Sequence, residues 1–542
     1  MSSPVITRLW AIVHTDVVLR LRRTSTLFLM LALCLLAYSI IPEPASGRGL
    51  IVINGARSLY NTSAVSFATC VLFAVIGIGL FGFYMVSNTI RRDTDSRVGM
   101  VIAATPVRSW EYIGGKFLGN VAFLLLVTAA YCVAMIAMYA IRGEAPFELL
   151  VFLRTYAQFC FSPILFVAVV ALVFESLPVL SGRIGDVAYF FLWSLALVLP
   201  AVQMDNIVQQ GIFGTHLSDV PWAAYIDFLG MGTSMASLKA QMPPSLTSFS
   251  LGASPFKASL APRIITEVGI PTAWLLAKII SSLVVLLGLL LAYGAFHRFD
   301  PTKLRASARN SGRNILAVIN TTLKPITRIN TGLWALLHHS FGRFSFVRTV
   351  LAEMLLIMTT KPITLIALIV LNILGLVLPL ASVQSVVLPI ASVVFVALCA
   401  DVALRERRLG TSALAFSLPG MKSGFVWIKF TAVWLLGIMF VSGALVRLIA
   451  TQYNSGISLL VSVTFLSAGA IGIGTAVGSP KAFMVSALLL FYLSLNSGAT
   501  TPALDFAGWF GTATGEVQIG YGAAALGLLL VGYAVHWWRA LR

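Results

Sequence analysis

Twelve long apolar runs constrain this chain more than any other feature. They cover about 24–41, 64–87, 117–141, 155–174, 187–203, 271–296, 363–382, 384–400, 430–449, 457–478, 482–496 and 519–537. A helix needs about 20 apolar residues to cross a bilayer. In lipid every backbone polar group must be satisfied within the structure, which leaves helices or closed barrels. The runs are rich in Leu, Ala, Val and Gly and show no polar–apolar alternation, so they read as helices. Composition agrees: of 542 residues, 58% are hydrophobic and 10% charged, with a mean hydropathy of +0.93. Soluble domains carry roughly 25% charged residues. A soluble globular domain and a disordered chain are both excluded. The expected fold class is an all-α polytopic membrane protein with about twelve transmembrane helices.

Charge sets the orientation. The net charge is +18, from 37 Lys and Arg against 19 Asp and Glu. In a soluble chain that excess would point to nucleic acid. In a membrane protein basic residues collect in cytoplasmic loops, so no nucleic-acid partner is expected, only membrane lipid. With the N-terminus inside and twelve crossings, the inner side holds 28 Lys and Arg against 10 Asp and Glu, and the outer side nine of each. Both termini are expected in the cytoplasm, and the location in a bacterial inner membrane. The first run follows Arg20, Arg22 and Arg23 with no small-residue cleavage site behind it, so it reads as a retained span. The five cysteines all fall inside apolar runs, and neither a disulfide framework nor a metal site is expected.

Six spans precede and six follow a basic stretch. The expected domains are a first half at 1–297 with a long outer segment at 204–270, a cytoplasmic linker at 298–341, and a second half at 342–542. The linker region holds Arg298, Lys303, Arg305, Arg309, Arg313, Lys324 and Arg328 against the single acid Asp300. Docking on anionic lipid head groups and a plain topogenic linker both fit it. Each half opens with a partly basic helical segment, 4–23 and 342–361, whose apolar residues recur at helical spacing and suit the interface plane.

The inner loops after spans 2 and 8 repeat one pattern. The first runs Arg91-Arg92-Asp93-Thr94-Asp95-Ser96-Arg97-Val98-Gly99, then Ala104-Thr105-Pro106, then Tyr112-Ile113-Gly114-Gly115-Lys116-Phe117. The second runs Arg405-Glu406-Arg407-Arg408-Leu409-Gly410, then Ser417-Leu418-Pro419, then Phe425-Val426-Trp427-Ile428-Lys429-Phe430. Lysine follows proline by ten residues in both, and the aromatic follows by six; the Gly-to-Pro distance differs, at seven against nine. Proline limits helix length, so each loop is expected to form a short helix across the cytoplasmic face. Two such loops would make two docking surfaces related by a pseudo-twofold axis. Ordinary basic decoration of inner loops is the competing reading.

At these residues the chain resembles the permease subunits of ATP-binding-cassette transporters, in the type-2 permease superfamily. The resemblance rests on the Arg91–Phe117 segment, the opening interface segment and six spans per half. The second half departs from it, with Trp427-Ile428 in place of Gly114-Gly115. The resemblance implies two pseudo-symmetric six-helix halves fused in one chain. It implies a loop that couples to two copies of a cytoplasmic ATPase, a lesser contact near 175–186, and export between the halves. The residues expected to couple are Arg97, Gly99, Pro106, Arg108, Glu111 and Tyr112, then Arg408, Gly410, Pro419, Lys422 and Phe425. Proline and glycine would shape the loop, the aromatics insert, and the charges pair with the partner.

Other motifs carry less. Gly77-Ile78-Gly79-Leu80-Phe81-Gly82 matches a dinucleotide fingerprint but sits mid-span, where small residues serve helix packing. No G-x-x-x-x-G-K-[ST] occurs. This chain is therefore read as a transport subunit and not an enzyme, without a cofactor of its own, and ATP-Mg is expected on a separate ATPase. The alternative is a twelve-span ion-coupled secondary carrier, which needs an ionisable site near the midplane. The charged residues beside spans lie near span ends: Arg154, Glu175, Lys278, Asp401 and Arg447. Three of these, Arg154, Lys278 and Arg447, are expected at the outer face, as interface anchors or as a cluster steering an anion.

Overall fold

The computed structural model describes residues 4–177, 180, 182–209, 220–240, 249–266, 268–270, 272–297, 299, 345–359, 363–417 and 420–541. Pro419 and nearly all of the 298–341 linker lie outside the described residues. The chain divides into two compact units, Met1–Ser307 and Ala308–Arg542. Among the described residues, nine helices are long and apolar enough to cross a bilayer. This is the make-up of an all-α polytopic membrane protein.

Unit one opens with α1 (Pro4–Leu21) and α2 (Thr24–Ile40), then β1 (Arg48–Ile53) and β2 (Ala56–Arg57). The long rod α3 (Thr62–Asp95) follows, then the short α4 (Val98–Ala104). The rods α5 (Ser109–Arg142) and α6 (Leu149–Ser176) come next, with α7 (Arg183–Gln209), α8 (Met231–Ala240), β3 (Phe249–Pro255) and α9 (Thr272–Ala295). Within α3 the glycine-rich stretch Phe73–Gly82 winds as a π-helix. Widening the turn frees backbone carbonyls from the ordinary ladder. Side chains of α7 take them: Trp193 Nε1 donates to the Val75 carbonyl at 2.9 Å, and the Tyr189 hydroxyl donates to that of Gly79. The fingerprint glycines are thus helix-packing positions; a Cβ on Gly79 would lie 2.9 Å from Leu229.

Unit one also holds a small three-stranded sheet, a feature the apolar runs did not foretell. Its order is β2-β1-β3, antiparallel throughout. Asn54 and Gly55, at φ of 49° and 84°, form the two-residue turn between β1 and β2, a dipeptide suited to the left-handed turn such hairpins need. β3 belongs to the long 204–270 segment and pairs along β1, from Arg48 opposite Pro255 to Ile53 opposite Phe249. Arg57 grips Glu144 through two bonds of 2.8 and 2.7 Å, tying the hairpin to the α5–α6 connection. That hydrogen bond, first of all, lowers the Glu144 pKa and raises that of Arg57.

Unit two begins with α10 (Ser345–Thr359) and α11 (Ile363–Val377), then α12 (Leu380–Arg408) and the short α13 (Ser412–Phe416). The rods α14 (Met421–Thr451), α15 (Tyr453–Val477), α16 (Pro480–Ser497) and α17 (Gly515–Leu541) complete it. The expected run 363–382 breaks at Pro379, which caps the start of the next helix. Three of the expected spans fall outside the nine: α2 at 17 residues, and the apolar stretches Ile184–Pro200 within α7 and Thr364–Val377 within α11.

The opening segments pack as amphipathic helices, α1 along α5 and α10 along α14. Gly115 permits the first of these approaches, since a Cβ there would lie 2.9 Å from Cγ2 of Ile12. In unit two Ile428 fills the same place, packed with Val350 and Met354. Gly115→Leu should overpack this contact and cost about 1–3 kcal/mol, read as a lower melting temperature in detergent and faster proteolysis near α1. Gly114→Leu, where an added Cβ meets nothing within 4 Å, should leave both unchanged.

Candidate functional site

The two repeated loops each stand on a buried lysine. Lys116, about two turns into α5, is 3% exposed. Its ammonium lies 3.0 Å from Asp16 Oδ1 on α1 and 2.7 Å from Asp93 Oδ2 at the end of α3. Arg92 adds a second cation, 2.7 Å from Asp16 Oδ1 and 3.3 Å from Asp93 Oδ1. The Tyr112 hydroxyl donates to Asp93 Oδ2 at 2.8 Å. Two carboxylates and two cations therefore clasp three segments: the lead helix, the end of α3 and the start of α5.

Unit two holds the same arrangement. Lys429 is fully buried, its ammonium 2.7 Å from Glu353 Oε1 on α10 and bonded to Glu406 Oε1 at the end of α12. Arg405 reaches Glu353 Oε1 at 3.0 Å. In both units an arginine and an acid stand side by side, and the lysine follows the acid by 23 residues: Arg92-Asp93 with Lys116, Arg405-Glu406 with Lys429. The lead helix supplies the other acid, Asp16 or Glu353. Sequence reasoning missed both clasps. It took the loop charges as contacts for a partner, with basic decoration as the competing reading, and did not pair the lysine with the acid upstream; the shared spacing was the available signal.

Unit one braces its clasp further. Burial pushes the Asp16 carboxyl up, but Lys116, Arg20 and Arg92 together hold it below the usual aspartate value. Arg20, one turn along α1, donates to Thr89 Oγ1 at 2.8 Å and Asn120 Oδ1 at 2.5 Å. Its burial brings the guanidinium pKa down to about 10. Glu175, at the end of α6, accepts the amides of Thr89 and Ile90 at 2.9 and 2.6 Å and so caps the start of the helical stretch Thr89–Asp95, which closes α3 after a break at Ser87 and Asn88. Glu111 accepts the Arg108 amide at 3.0 Å and the Arg8 guanidinium at 2.8 Å.

Ten of the eleven expected coupling residues, all but Pro419, are described, and they separate into two groups. Arg97, Pro106, Arg108, Arg408, Gly410 and Lys422 are exposed, on the loops above the clasps. Gly99, Glu111, Tyr112 and Phe425 are buried. The two aromatics do not offer themselves for insertion: both rings are stacked inside their own unit. Glu111 is likewise engaged by Arg8 and by the start of α5. What the loops do present is apolar. Val98, Met100 and Val101 stand out on α4, and Leu409 and Leu414 on and beside α13, with Val101 at 66% and Leu414 at 73% exposure.

The structure also corrects the alignment of the loops. Arg97 and Gly410 both turn left-handed, at φ of 60° and 71°. Each lies nine residues before its proline. The unequal Gly-to-Pro spacing came from matching Gly99 with Gly410 by residue type, when the equivalent residue is Arg97.

Lys278 is buried and paired within its own unit rather than standing free as an interface anchor. It is 5% exposed, its ammonium 2.8 Å from the Asp227 carbonyl and 3.6 Å from Asp227 Oδ2. The Asp227 carboxylate also accepts from the amides of Gly232 and Thr233 and the Thr233 hydroxyl. That saturates it as a helix-start cap. Arg447 donates to the carbonyls of Gly375 and Leu378 at 2.9 and 2.6 Å, at the end of α11.

Removing one member of a clasp leaves a buried charge without its partner, which costs about 3–5 kcal/mol. Lys116→Met and Lys429→Met should each lose about that much in thermal unfolding of the purified protein. Lys116→Met combined with Asp16→Asn and Asp93→Asn should recover part of it. The Asp16 contribution has a defined pH dependence, because its folded pKa is depressed. It is fully present above the ordinary value of 3.8 and is lost as pH falls through the lower folded value. Acid unfolding of Asp16→Asn should therefore be flatter than that of the wild type below about pH 4.

No protein-family model, no curated protein and no solved structure matches the chain.

Proposed function

We propose that the chain is the membrane-spanning permease subunit of an ATP-driven transporter. In this reading it makes twelve crossings as two pseudo-symmetric six-helix halves. Both termini lie in the cytoplasm of a bacterial cell, and substrate is exported between the halves. Energy comes from two copies of a cytoplasmic ATP-binding-cassette ATPase, which hold the ATP-Mg.

The observation that carries this reading is the doubled clasp. A loop that transmits force must be stiff at its base and accessible at its tip. Both loops meet that demand in the same way. At the base, a buried lysine joins the lead helix to the rods on either side, as Asp16, Lys116 and Asp93 do and as Glu353, Lys429 and Glu406 do. At the tip stands a short helix with apolar side chains in the open and arginine or lysine around them. Apolar side chains ringed by charge suit a protein groove, where the centre is desolvated and the rim stays wet. A displacement of the tip would pass through the clasp into α3 and α5, or α12 and α14, rather than dissipate in a soft loop. The resemblance of residues 91–117 to type-2 permeases supports the same conclusion from sequence alone.

The test is retention of the ATPase on the purified chain. Val101→Asp and Leu414→Asp place a carboxylate on each tip without touching a clasp. Each should lower ATPase co-purification from membranes by tenfold or more, with insertion and melting temperature unchanged. Full retention in the double variant would remove the reading. Uptake that survives ATP depletion and collapses with the ion gradient would replace it with the carrier.

A further inference from the structure

Beside each clasp lies a second repeated contact, and here the two units differ in chemistry. Tyr112 and Phe425 each follow their proline by six residues. Each stacks face to face on a ring from the end of its unit's last long helix. Tyr112 stacks on Phe296, just past α9, with centroids 5.1 Å apart and planes 14° apart. Phe425 stacks on His536, near the end of α17, at 4.9 Å and 15°. A third ring closes each cluster edge-on. Phe299 meets Tyr112 at 5.4 Å. Phe416 meets Phe425 at 5.3 Å and His536 at 5.4 Å. One cluster is wholly hydrocarbon and phenol. The other is built on an imidazole.

His536 is buried, and its Nε2 lies 2.8 Å from the Lys422 carbonyl at the start of α14. Through Phe416 the same ring holds α13, the tip of the second loop. The charged side chains acting on it are cations: Arg407 from the end of α12 and Lys422 from α14. From its own helix Arg539 lies three residues on, engaged by the carbonyls of Thr475 and Ala476 on α15. Within α15 no residue carries a charged side chain.

We propose that His536 is a positioning residue for the second loop, holding α13 closed when neutral and releasing it when protonated. An added proton would put a third positive charge in a buried place already facing Arg407 and Lys422. Like charge and desolvation both oppose that in the closed arrangement. The hydrogen bond to the Lys422 carbonyl favours the proton, and with a stack of imidazolium on Phe425 it would recover only part of that cost. Opening the cluster to water relieves both, so protonation favours the open loop. The imidazole is the side chain whose ordinary titration falls between pH 5 and 8. Phe296 cannot titrate, so the first loop stays fixed over the same range. Resting on the coupling reading, this makes acidification a selective brake on one of two joints.

The experiment uses the full chain in detergent, with Cys34 and Cys132 replaced by alanine. Leu414→Cys on α13 and Val101→Cys on α4 are labelled separately with bimane at pH 7.5 and then titrated from pH 8 to pH 5. The Leu414 probe should shift its emission in a single transition, and the Val101 probe should stay flat. His536→Phe, which copies the ring of Phe296, should keep the alkaline spectrum of the Leu414 probe and abolish the transition. A flat Leu414 probe in the wild type overturns the proposal, as does a transition that persists in His536→Phe. Should that variant not survive purification, the wild-type probes decide alone: a Leu414 signal that titrates in step with Val101 overturns it. No ATPase enters the measurement. Failure of the coupling reading would leave the titration standing, and a flat titration would leave the coupling reading standing.

Discussion

A lysine ammonium held between two carboxylates organises each half of this protein where apolar rods meet polar loops. At such a position a lone charge is expensive: water is scarce, and no nearby dipole compensates for its loss. One lysine between two acids still leaves a net negative charge. The arginine beside the second acid, Arg92 or Arg405, removes it. Both clasps are thus neutral sets of four. That neutrality lets Lys116 and Lys429 be 3% and 0% exposed and still carry charge. The geometry follows from it. The lead helix must lie where its acid reaches the lysine, so α1 and α10 are fixed in direction and depth along α5 and α14.

Apolar packing alone would not fix that depth. An amphipathic helix on a smooth apolar rod can slide by a turn with little change in buried area. A charged contact cannot, because displacement by one turn strands two buried charges. The glycine at 115 and the isoleucine at 428 show that the two halves reach the same register with different packing. The specificity therefore lies in the ion pairs more than in side-chain shape. This is the use of buried charge for which stability gives the weakest argument and register the best.

Much of the architecture was legible because bilayer physics leaves few options. Long apolar runs have to become helices, and nine of the helices they fall in are long and apolar enough to cross a bilayer. Three features were harder to read. The sheet was hidden by hydropathy, yet Asn54-Gly55 after the run Leu50–Ile53 was a local hairpin signal, overshadowed by the spans around it. Its third strand comes from a segment about 200 residues away, and no local pattern announces such a partner. The clasps escaped because charges near span ends are ordinarily topogenic. Only the equal interval from acid to lysine in both halves marks these as structural. The ring clusters escaped for a related reason: an aromatic near an inner loop reads as an anchor or an insertion point, and nothing in the sequence says that Phe296 and His536 lie over it.

The left-handed residues show how a repeat is better read from backbone demand than from residue identity. At φ near +60° a side chain with a Cβ costs roughly 1–2 kcal/mol against glycine. Gly410 meets the demand directly. Arg97 bears the cost, at the turn between the end of α3 and the start of α4. Aligned on that turn, the loops agree at every fixed point: the paired arginine and acid, the turn, the proline, the stacked ring and the buried lysine. Where they differ is at the surface of each cluster, in Gly115 against Ile428 and Phe296 against His536. Duplicated joints that share their internal fixings and differ in what touches them are free to answer different signals while moving by the same mechanics.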